Sequence, residues 1–345
     1  MDELLLTTNN GLEDIVADEF RALADREGLD YESIDEEPFG LGGRILVRTD
    51  EPADRLVPVV ETMRSIHHVL HYIEEFALPD EDPLEAIESR LFELDLPEMT
   101  DAETFRVTSN RYGEHDFTSV DVQRAAGGGV DCHYSASVDL EDYDVDVRVD
   151  VQQNRCLVGI QYTKESLSTR FPHVYAPRAS LKSNVAYGML QLAHVPTHDP
   201  ETLLDPFCGA GTVLMETAEV YPEIALYGSD ISERAVRGAT ANIETAGLDD
   251  HVVDIQQGDA RELYRRHDRG AIDLIVTNPP YGKRLGADLN FHAFYRDVLG
   301  QFVRTLSPEG RVVMLVHKRG VFRGAIGDYP QFDIRHVRIV ETGGL

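Results

Sequence analysis

From residue 178 to residue 317 the chain alternates short apolar runs of strand type with amphipathic helical patterns, and this rhythm limits the fold more than any other feature. The pattern predicts a helix over Arg178–Ala193, starting after Pro177, then a strand at Thr202–Leu204 and a helix from Thr212. Strand Ala225–Gly228, helix Glu233–Thr245 and strand Val252–Gln256 follow, then strand Ile272–Thr277, helix Phe291–Leu306 and strand Arg311–His317. Strands joined by helices run parallel and are covered on both faces, so the expected fold class is α/β with a doubly wound sheet. In such sheets ligands sit beyond the carboxyl ends of the strands. Every distinctive short motif of this half falls at such an end.

The segment Asp205-Pro206-Phe207-Cys208-Gly209-Ala210-Gly211-Thr212 closes the first strand and opens a helix. Gly209 and Gly211 let the backbone approach a ligand where a Cβ would collide. The Asp205 carboxylate suits a cationic amine. Asp230, followed by Ile231, ends the next strand; an acid about 20 residues after the glycine loop suits a pair of ribose hydroxyls. Gly258-Asp259-Ala260 ends a third strand, where Asp259 can accept from an adenine amine. The fourth strand runs into Thr277-Asn278-Pro279-Pro280-Tyr281-Gly282. One glycine loop is weak evidence, but three loops at consecutive strand ends are much stronger. A dinucleotide-binding dehydrogenase is the competing reading. It wants G-x-G-x-x-G, whereas Leu214 holds the third position here, and Asp205 sits badly with a pyrophosphate.

Charge narrows the setting. The chain has 62 acidic and 32 basic residues, a net charge of −30, and lysine only at 164, 182, 283 and 318. Self-repulsion of that size strains a compact fold at low salt and is screened in concentrated salt. The composition resembles that of salt-adapted proteins from halophilic archaea. The acids are uneven: residues 1–60 carry sixteen acids and five arginines, and Asp139–Asp150 carries six acids and one arginine. Residues 152–198 carry five cations against Glu165 alone, and residues 274–287 and 310–327 carry cations and no acid. Such stretches in an acidic chain point to a surface that faces a polyanion. No run approaches the roughly 20 apolar residues of a membrane helix, and Met1-Asp2-Glu3 lacks the basic start of a signal peptide, so a cytoplasmic address is expected. Cys132, Cys156 and Cys208 have neither zinc nor disulfide spacing, and no metal is expected. His67, His68 and His71, near helical spacing and without a nearby acid, read as a mixed helix face.

The first half reads as mixed α+β. Leu4–Thr8 has strand character, and Leu12, Ile15, Val16, Phe20 and Leu23 recur at helical spacing. Further helix patterns lie around Ala53–Tyr72 and at Pro83–Leu94. Phe105–Thr108 and the strictly alternating Val145–Val151 read as strands, and Gly127-Gly128-Gly129 as a flexible loop.

At the two motifs of the second half the sequence resembles the Rossmann-like class I amino-methyltransferases. In that family a D-x-x-C-G-x-G-T loop, here Asp205–Thr212, holds the methionine part of S-adenosyl-L-methionine. An N-P-P-Y loop, here Asn278–Tyr281, receives the base. Arg178-Ala179-Ser180-Leu181-Lys182 is similar to the family's further cofactor-contacting motif, which brings in Ala179 and Ser180. The resemblance implies catalytic roles for Asn278, Pro279, Pro280 and Tyr281. It implies cofactor contacts from Asp205, Pro206, Phe207, Cys208, Gly209, Gly211, Thr212, Asp230, Ile231, Asp259, Ala260 and Asn278.

The loop alone does not choose between adenine N6, cytosine N4 and guanine N2. In the first half, Phe105-Arg106-Val107-Thr108, Arg111, His115-Asp116-Phe117-Thr118-Ser119, Ser137-Val138-Asp139-Leu140, the strand to Val151, Leu167 and Arg170 resemble a THUMP RNA-binding module. Thr7–Phe20 resembles the ferredoxin-like subdomain that accompanies it. One departure is Glu141-Asp142-Tyr143-Asp144, where a proline-containing turn is expected. The implied organisation is a ferredoxin-like subdomain over 1–60, a THUMP-like domain over 61–165, a linker over 166–177 and a methyltransferase domain over 178–345. The implied activity is methylation of guanine N2 in tRNA, with the acceptor stem first, or alternatively in rRNA. RNA contacts are expected from Arg111, His115, Lys164, Arg170, Lys283 and Arg284. A DNA adenine or cytosine enzyme, which would need a target-reading domain not visible here, and a non-catalytic RNA binder are the other readings. Monomer and homodimer stay open.

Overall fold

A computed structural model describes residues 3–177, 180–193, 199–280 and 290–342. The expected site residues Ala179, Tyr281, Lys283 and Arg284 lie outside the described residues. The chain divides into two units, 1–167 and 168–345, each with its own core.

In the first unit β1 (Glu3–Thr7), α1 (Glu13–Glu27), β2 (Ser33–Asp35), β3 (Arg44–Arg48), α2 (Ala53–Val60) and β4 (His68–Ala77) come first. Then follow α3 (Pro83–Glu93), β5 (Thr104–Thr108), β6 (Arg111–Tyr112), α4 (Ser119–His133), β7 (Ser137–Val138), β8 (Val145–Gln152) and β9 (Arg155–Gln161). The strands form one sheet in the order β2-β3-β1-β4-β9-β8-β5-β7, with β6 paired to β8. Strand β4 makes this sheet continuous, because it pairs antiparallel with both β1 and β9. Two apolar layers cover the sheet: Phe20, Leu23, Leu56 and Val60 over its first strands, and Ile87, Leu91, Val122 and Val130 over its last.

Strand β8 shows how its sequence makes that layering. Val145, Val147, Val149 and Val151 all enter the apolar core by the period-two rule. The intervening residues are charged and buried, so they need partners. Arg106 bonds Asp146 at 2.7 Å, Arg148 bonds Asp150 at 2.6 Å, and Arg44 reaches Asp150 at 3.4 Å. The acid-rich run is therefore partly an internal ion network.

Three expectations for this unit are corrected. The helix pattern around Ala53–Tyr72 stops at Val60, and His68 begins a strand. The stop has a cause, since Glu19 on α1 accepts the backbone N–H groups of Arg64 and Ser65 at 2.8 and 2.9 Å. The histidines are therefore not a helix face, and His71 does have an acid nearby: Glu98 lies 2.7 Å from its Nδ1. Gly127–Gly129 is not a loop but part of α4. A Cβ on Gly129 would collide with the Glu88 carbonyl and meet the Leu91 Cβ at 2.9 Å, so the glycine lets α4 press against α3.

In the second unit α5 (Ser183–Leu192), β10 (Thr202–Asp205), α6 (Thr212–Val220), β11 (Ala225–Asp230), α7 (Glu233–Ala246) and β12 (Val252–Gln257) lead to β13 (Ile272–Thr277), α8 (Phe291–Thr305), β14 (Leu306–Met314) and α9 (Arg319–Ile326). Helix α5 starts five residues later than the expected Arg178, with Lys182 as its N-terminal cap position. All strand pairs are parallel, in the order β12-β11-β10-β13-β14. Apolar residues fill both faces. Leu203, Leu226 and Leu274 meet α5–α7, whereas Leu204 and Ile275 meet α8 and α9. The strand order reverses between β10 and β13, which opens a crevice at their carboxyl ends.

Candidate active site

The two strands that flank the reversal deliver Asp205 and Asn278 to the same edge of the sheet. Thr277, fully buried, donates its hydroxyl to Asp205 Oδ1 at 2.6 Å, which ties the two strand ends together across 72 residues of sequence. Asp205 is 2 % exposed, and its other close donor is the Phe207 N–H at 3.1 Å. Burial pushes its carboxyl group up to about 7, because two hydrogen bonds do not replace the water it has lost. A cationic group arriving here would restore the charged form. The carboxylate therefore fits an ammonium ligand.

The loop beyond Asp205 is shaped by its glycines. Gly209 has φ +54° and Gly211 φ +85°, left-handed conformations that favour glycine, and Gly211 packs against Ala239 and Ile243 of α7. The loop is stitched to the neighbouring strand ends. Cys208 N–H donates to Ser229 O at 3.0 Å, and Gly209 N–H to Asp230 Oδ2 at 3.2 Å. Asp230 also accepts from Ser232 N–H at 2.8 Å, and burial raises its carboxyl group above the usual range. Gly258 N–H donates to the Asp230 carbonyl at 2.9 Å, joining the third strand end to the second. Ile231, Gln257, Gly258, Asp259, Glu262, Arg265 and Arg266 line a cavity of about 260 Å³ there. Asp259 is less available than its sequence context suggests: Arg261 binds both its oxygens at 2.9 and 2.5 Å. Pro206 and Phe207 lie within the loop and Thr212 opens α6; Cys208, Thr212 and Ala260 are buried. Ser180 hangs on the Pro177 carbonyl by its backbone N–H at 2.9 Å, and its hydroxyl is buried with no partner among the described residues.

Among the catalytic candidates, Asn278 is half-buried, Pro279 buried and Pro280 half-buried, directly after β13. Pro279 and Pro280 each fix φ near −65°, so the chain leaves the sheet on a stiff path. Sequence reasoning missed three residues here. Thr277 bridges the two loops. Asn242 of α7, fully buried, donates to the Ala210 carbonyl at 3.0 Å and exchanges hydrogen bonds of 2.8 Å with the Tyr175 backbone. Tyr175 in turn lays its ring against Gly238, where no side chain would fit. A polar residue on the otherwise small and apolar buried face of an amphipathic helix is the available signal for Asn242.

The expected RNA contacts fall in separate places. Arg111 and His115 line an open cavity of about 580 Å³ with Gly113, Glu114 and Asp116. Both ring nitrogens of His115 are engaged, Nδ1 with Arg111 at 2.9 Å and Nε2 with the Gln153 carbonyl at 2.6 Å. Its imidazole therefore braces Arg111 instead of reaching outward. Lys164 is exposed and lies 5.8 Å from the centre of the Tyr143 ring, on which Arg106 stacks at 3.9 Å. Arg170 is half-buried. The turn before β8 manages without proline: Asp139 accepts the N–H groups of Glu141 and Asp142, and Asp144 accepts those of Glu103 and Thr104. No group of side chains that could hold a metal occurs among the described residues. No helix among them is long and apolar enough to cross a membrane.

Residues 170–345 match the family described as RMKL-like, methyltransferase domain, and residues 81–161 match the THUMP domain. A tRNA (guanine(6)-N2)-methyltransferase of Thermus thermophilus is 34 % identical over 98 % of this chain and 96 % of its own length. An enzyme of the same name from Archaeoglobus fulgidus is 30 % identical over 70 % of this chain and 68 % of its own. The crystal structure of TrmN from Thermus thermophilus superposes with a TM-score of 0.75 at 33 % identity, covering 100 % of this chain and 97 % of that one.

Proposed function

Because the chain belongs to the family that joins a THUMP domain to an RMKL-like methyltransferase domain, we propose that it methylates the exocyclic N2 amine of a guanosine in tRNA, in the acceptor stem. S-adenosyl-L-methionine, when bound, supplies a methyl group on a positively charged sulfur. Asp205 would hold the ammonium end of that cofactor, Gly209 and Gly211 would admit its backbone-hugging part, and Asp230 would take the ribose hydroxyls. The observation that carries the reading is the Thr277–Asp205 hydrogen bond, because it locks the carboxylate for the cofactor beside the strand end that bears Asn278.

The chemistry left to this chain is modest and geometric. A guanine amine is a poor nucleophile because its lone pair is delocalised into the ring. The Asn278 side-chain oxygen and the Pro279 carbonyl would accept the two amine hydrogens and concentrate electron density on nitrogen, acting as dipoles fixed before the reaction. With the cofactor held by Asp205 and Asp230, the nitrogen would be aligned with the methyl carbon for transfer, and the amine proton would leave afterwards to water. No strong general base is needed, and orientation supplies most of the rate. Tyr281 would offer its ring to the extruded base. The composition supports a salt-rich cytoplasm as the working solvent. Incubation with labelled cofactor and unmodified tRNA should place label in N2-methylguanosine. Label in DNA, in methyladenosine or methylcytidine, or only in rRNA would overturn the assignment.

A further inference from the structure

Most arginines of this acidic chain are neutralised at short range. Arg90 pairs with Glu74 and Glu93, Arg155 with Glu75, Arg237 with Glu233, and Arg265 with Glu262. Lys318, Arg319 and Arg323 break that pattern. No ion pair is formed by any of the three among the described residues, and no acid lies between Glu309 and Asp328 in the sequence. Arg319 and Arg323 are exposed, one helical turn apart on α9, and so share a face.

Their position is fixed by packing. Strand β14 pairs with β13 so that Met314 lies opposite Thr277, and Leu315 N–H donates to the Thr277 carbonyl at 3.1 Å. Lys318 follows three residues later, at the same carboxyl edge as Asn278. Its ammonium group sits 3.8 Å from the centre of the ring of Phe291, the first residue of α8. Phe322 meets Tyr295 of α8 edge-on at 5.3 Å, and Ala325 is fully buried beneath it. Helix α9 is thereby clamped to α8 with Phe322 and Ala325 inward and the two arginines outward. Gly320 leaves open space beside Arg319, because a Cβ there would meet nothing within 4 Å.

We propose that Lys318, Arg319 and Arg323 form a phosphate-binding edge that holds the RNA strand flanking the target nucleotide. This rests on the reading of the protein as an RNA methyltransferase. Three cations without an ion pair among the described residues, on a rigid mount at the carboxyl edge that bears Asn278, suit a polyanion in a chain of net charge −30. Two guanidiniums a helical turn apart can each take a phosphate by paired N–H groups.

The test uses the full chain, unmodified tRNA transcript, and the lowest salt at which the protein stays folded by circular dichroism. Arg319→Ala and Arg323→Ala should each raise KM for tRNA roughly three- to tenfold and flatten its salt dependence, with cofactor affinity and kcat nearly unchanged. Arg269→Ala, the same charge change at the opposite edge of the sheet just before β13, should leave KM as it is. Equal KM for wild type and both α9 variants, or an equal rise with Arg269→Ala, overturns the edge while the enzyme assignment stands. A wild-type protein that methylates no RNA overturns the assignment itself. A KM shift for a short single-stranded RNA as large as for tRNA would still support the edge, since phosphate contacts carry no sequence information.

Discussion

In the proposed mechanism Asn278 and Asp205 divide the work, and they should fail in different ways. If Asn278 is one of two acceptors for the amine, replacing it by alanine should lower kcat on the order of 10²–10³-fold while cofactor affinity changes far less. Single-turnover methylation and calorimetry on the same preparation separate the two effects. Asp205 makes a pH-dependent prediction. Its carboxyl group stands near 7 in the fold against an ordinary value of 3.8, so between those values the folded chain holds a proton that the unfolded chain has released. Stability of the ligand-free protein therefore falls as pH rises through that window. Asp205→Asn removes this loss, and its Tm should exceed that of wild type at pH 8 and approach it near pH 4. Cofactor binding runs the other way. An ammonium ligand needs the ionised carboxylate, so affinity should rise roughly tenfold per pH unit below 7 and level off above it. A flat wild-type profile in calorimetry across pH 5.5–8 would remove Asp205 from the ammonium site.

Helix α7 shows how an element can serve the site without touching a ligand. Asn242 satisfies the Ala210 carbonyl and both backbone groups of Tyr175, so Asn242→Ala leaves one buried and two part-buried polar groups without that partner. A loss on the order of 1–3 kcal/mol is expected, together with weaker cofactor binding, because the glycine loop loses its brace. Urea unfolding and calorimetry would report the two losses, and unchanged cofactor affinity would restrict Asn242 to a structural part. Helices α3 and α4 give the matching case away from the site: Gly129→Ala should cost about 1–3 kcal/mol by forcing the helices apart. The same elements mark what the sequence makes legible. Strands β10–β13 and helices α6–α8 are legible because each has a clear local period and the strands end in distinctive motifs, whereas α9 is not read from the sequence and β14 begins at Leu306, five residues before the expected Arg311. Strand β4 is not legible, because its partners Leu4–Thr7 and Arg155–Gln161 are remote in sequence and its own residues mix charge with apolar groups. The glycine triplet misled for a similar reason: it answers to a neighbouring helix and not to its own backbone. Within the site, the loops could be named from spacing, but the Thr277–Asp205 bond and the Asn242 brace exist only once distant strands and helices meet.

At the scale of the whole molecule the governing quantity is the charge of −30. Some carboxylates are tied internally, as Asp146 and Asp150 are, yet even with each of the 32 bases paired to one acid, 30 of the 62 acids would have no cationic partner. Those acids repel one another across the surface. Added KCl should therefore raise Tm, with most of the gain complete by about 1 M, where the Debye length has shrunk from about 10 Å at 0.1 M to about 3 Å. A Tm that keeps climbing in proportion to salt beyond that point would indicate exclusion of salt from the surface instead of screening. Screening acts on the ligand as well. Attraction of phosphates to Lys318, Arg319 and Arg323 weakens with salt, whereas stacking and contacts to 2′-hydroxyls do not. The KM penalty of Arg319→Ala should therefore shrink as KCl increases. Wild-type affinity for tRNA should change little between 1 and 2 M, where the Debye length is already about 3 Å or less. If affinity instead drops steeply over that interval, shape and stacking do not dominate recognition, and an acidic protein would be binding RNA by charge alone against its own field.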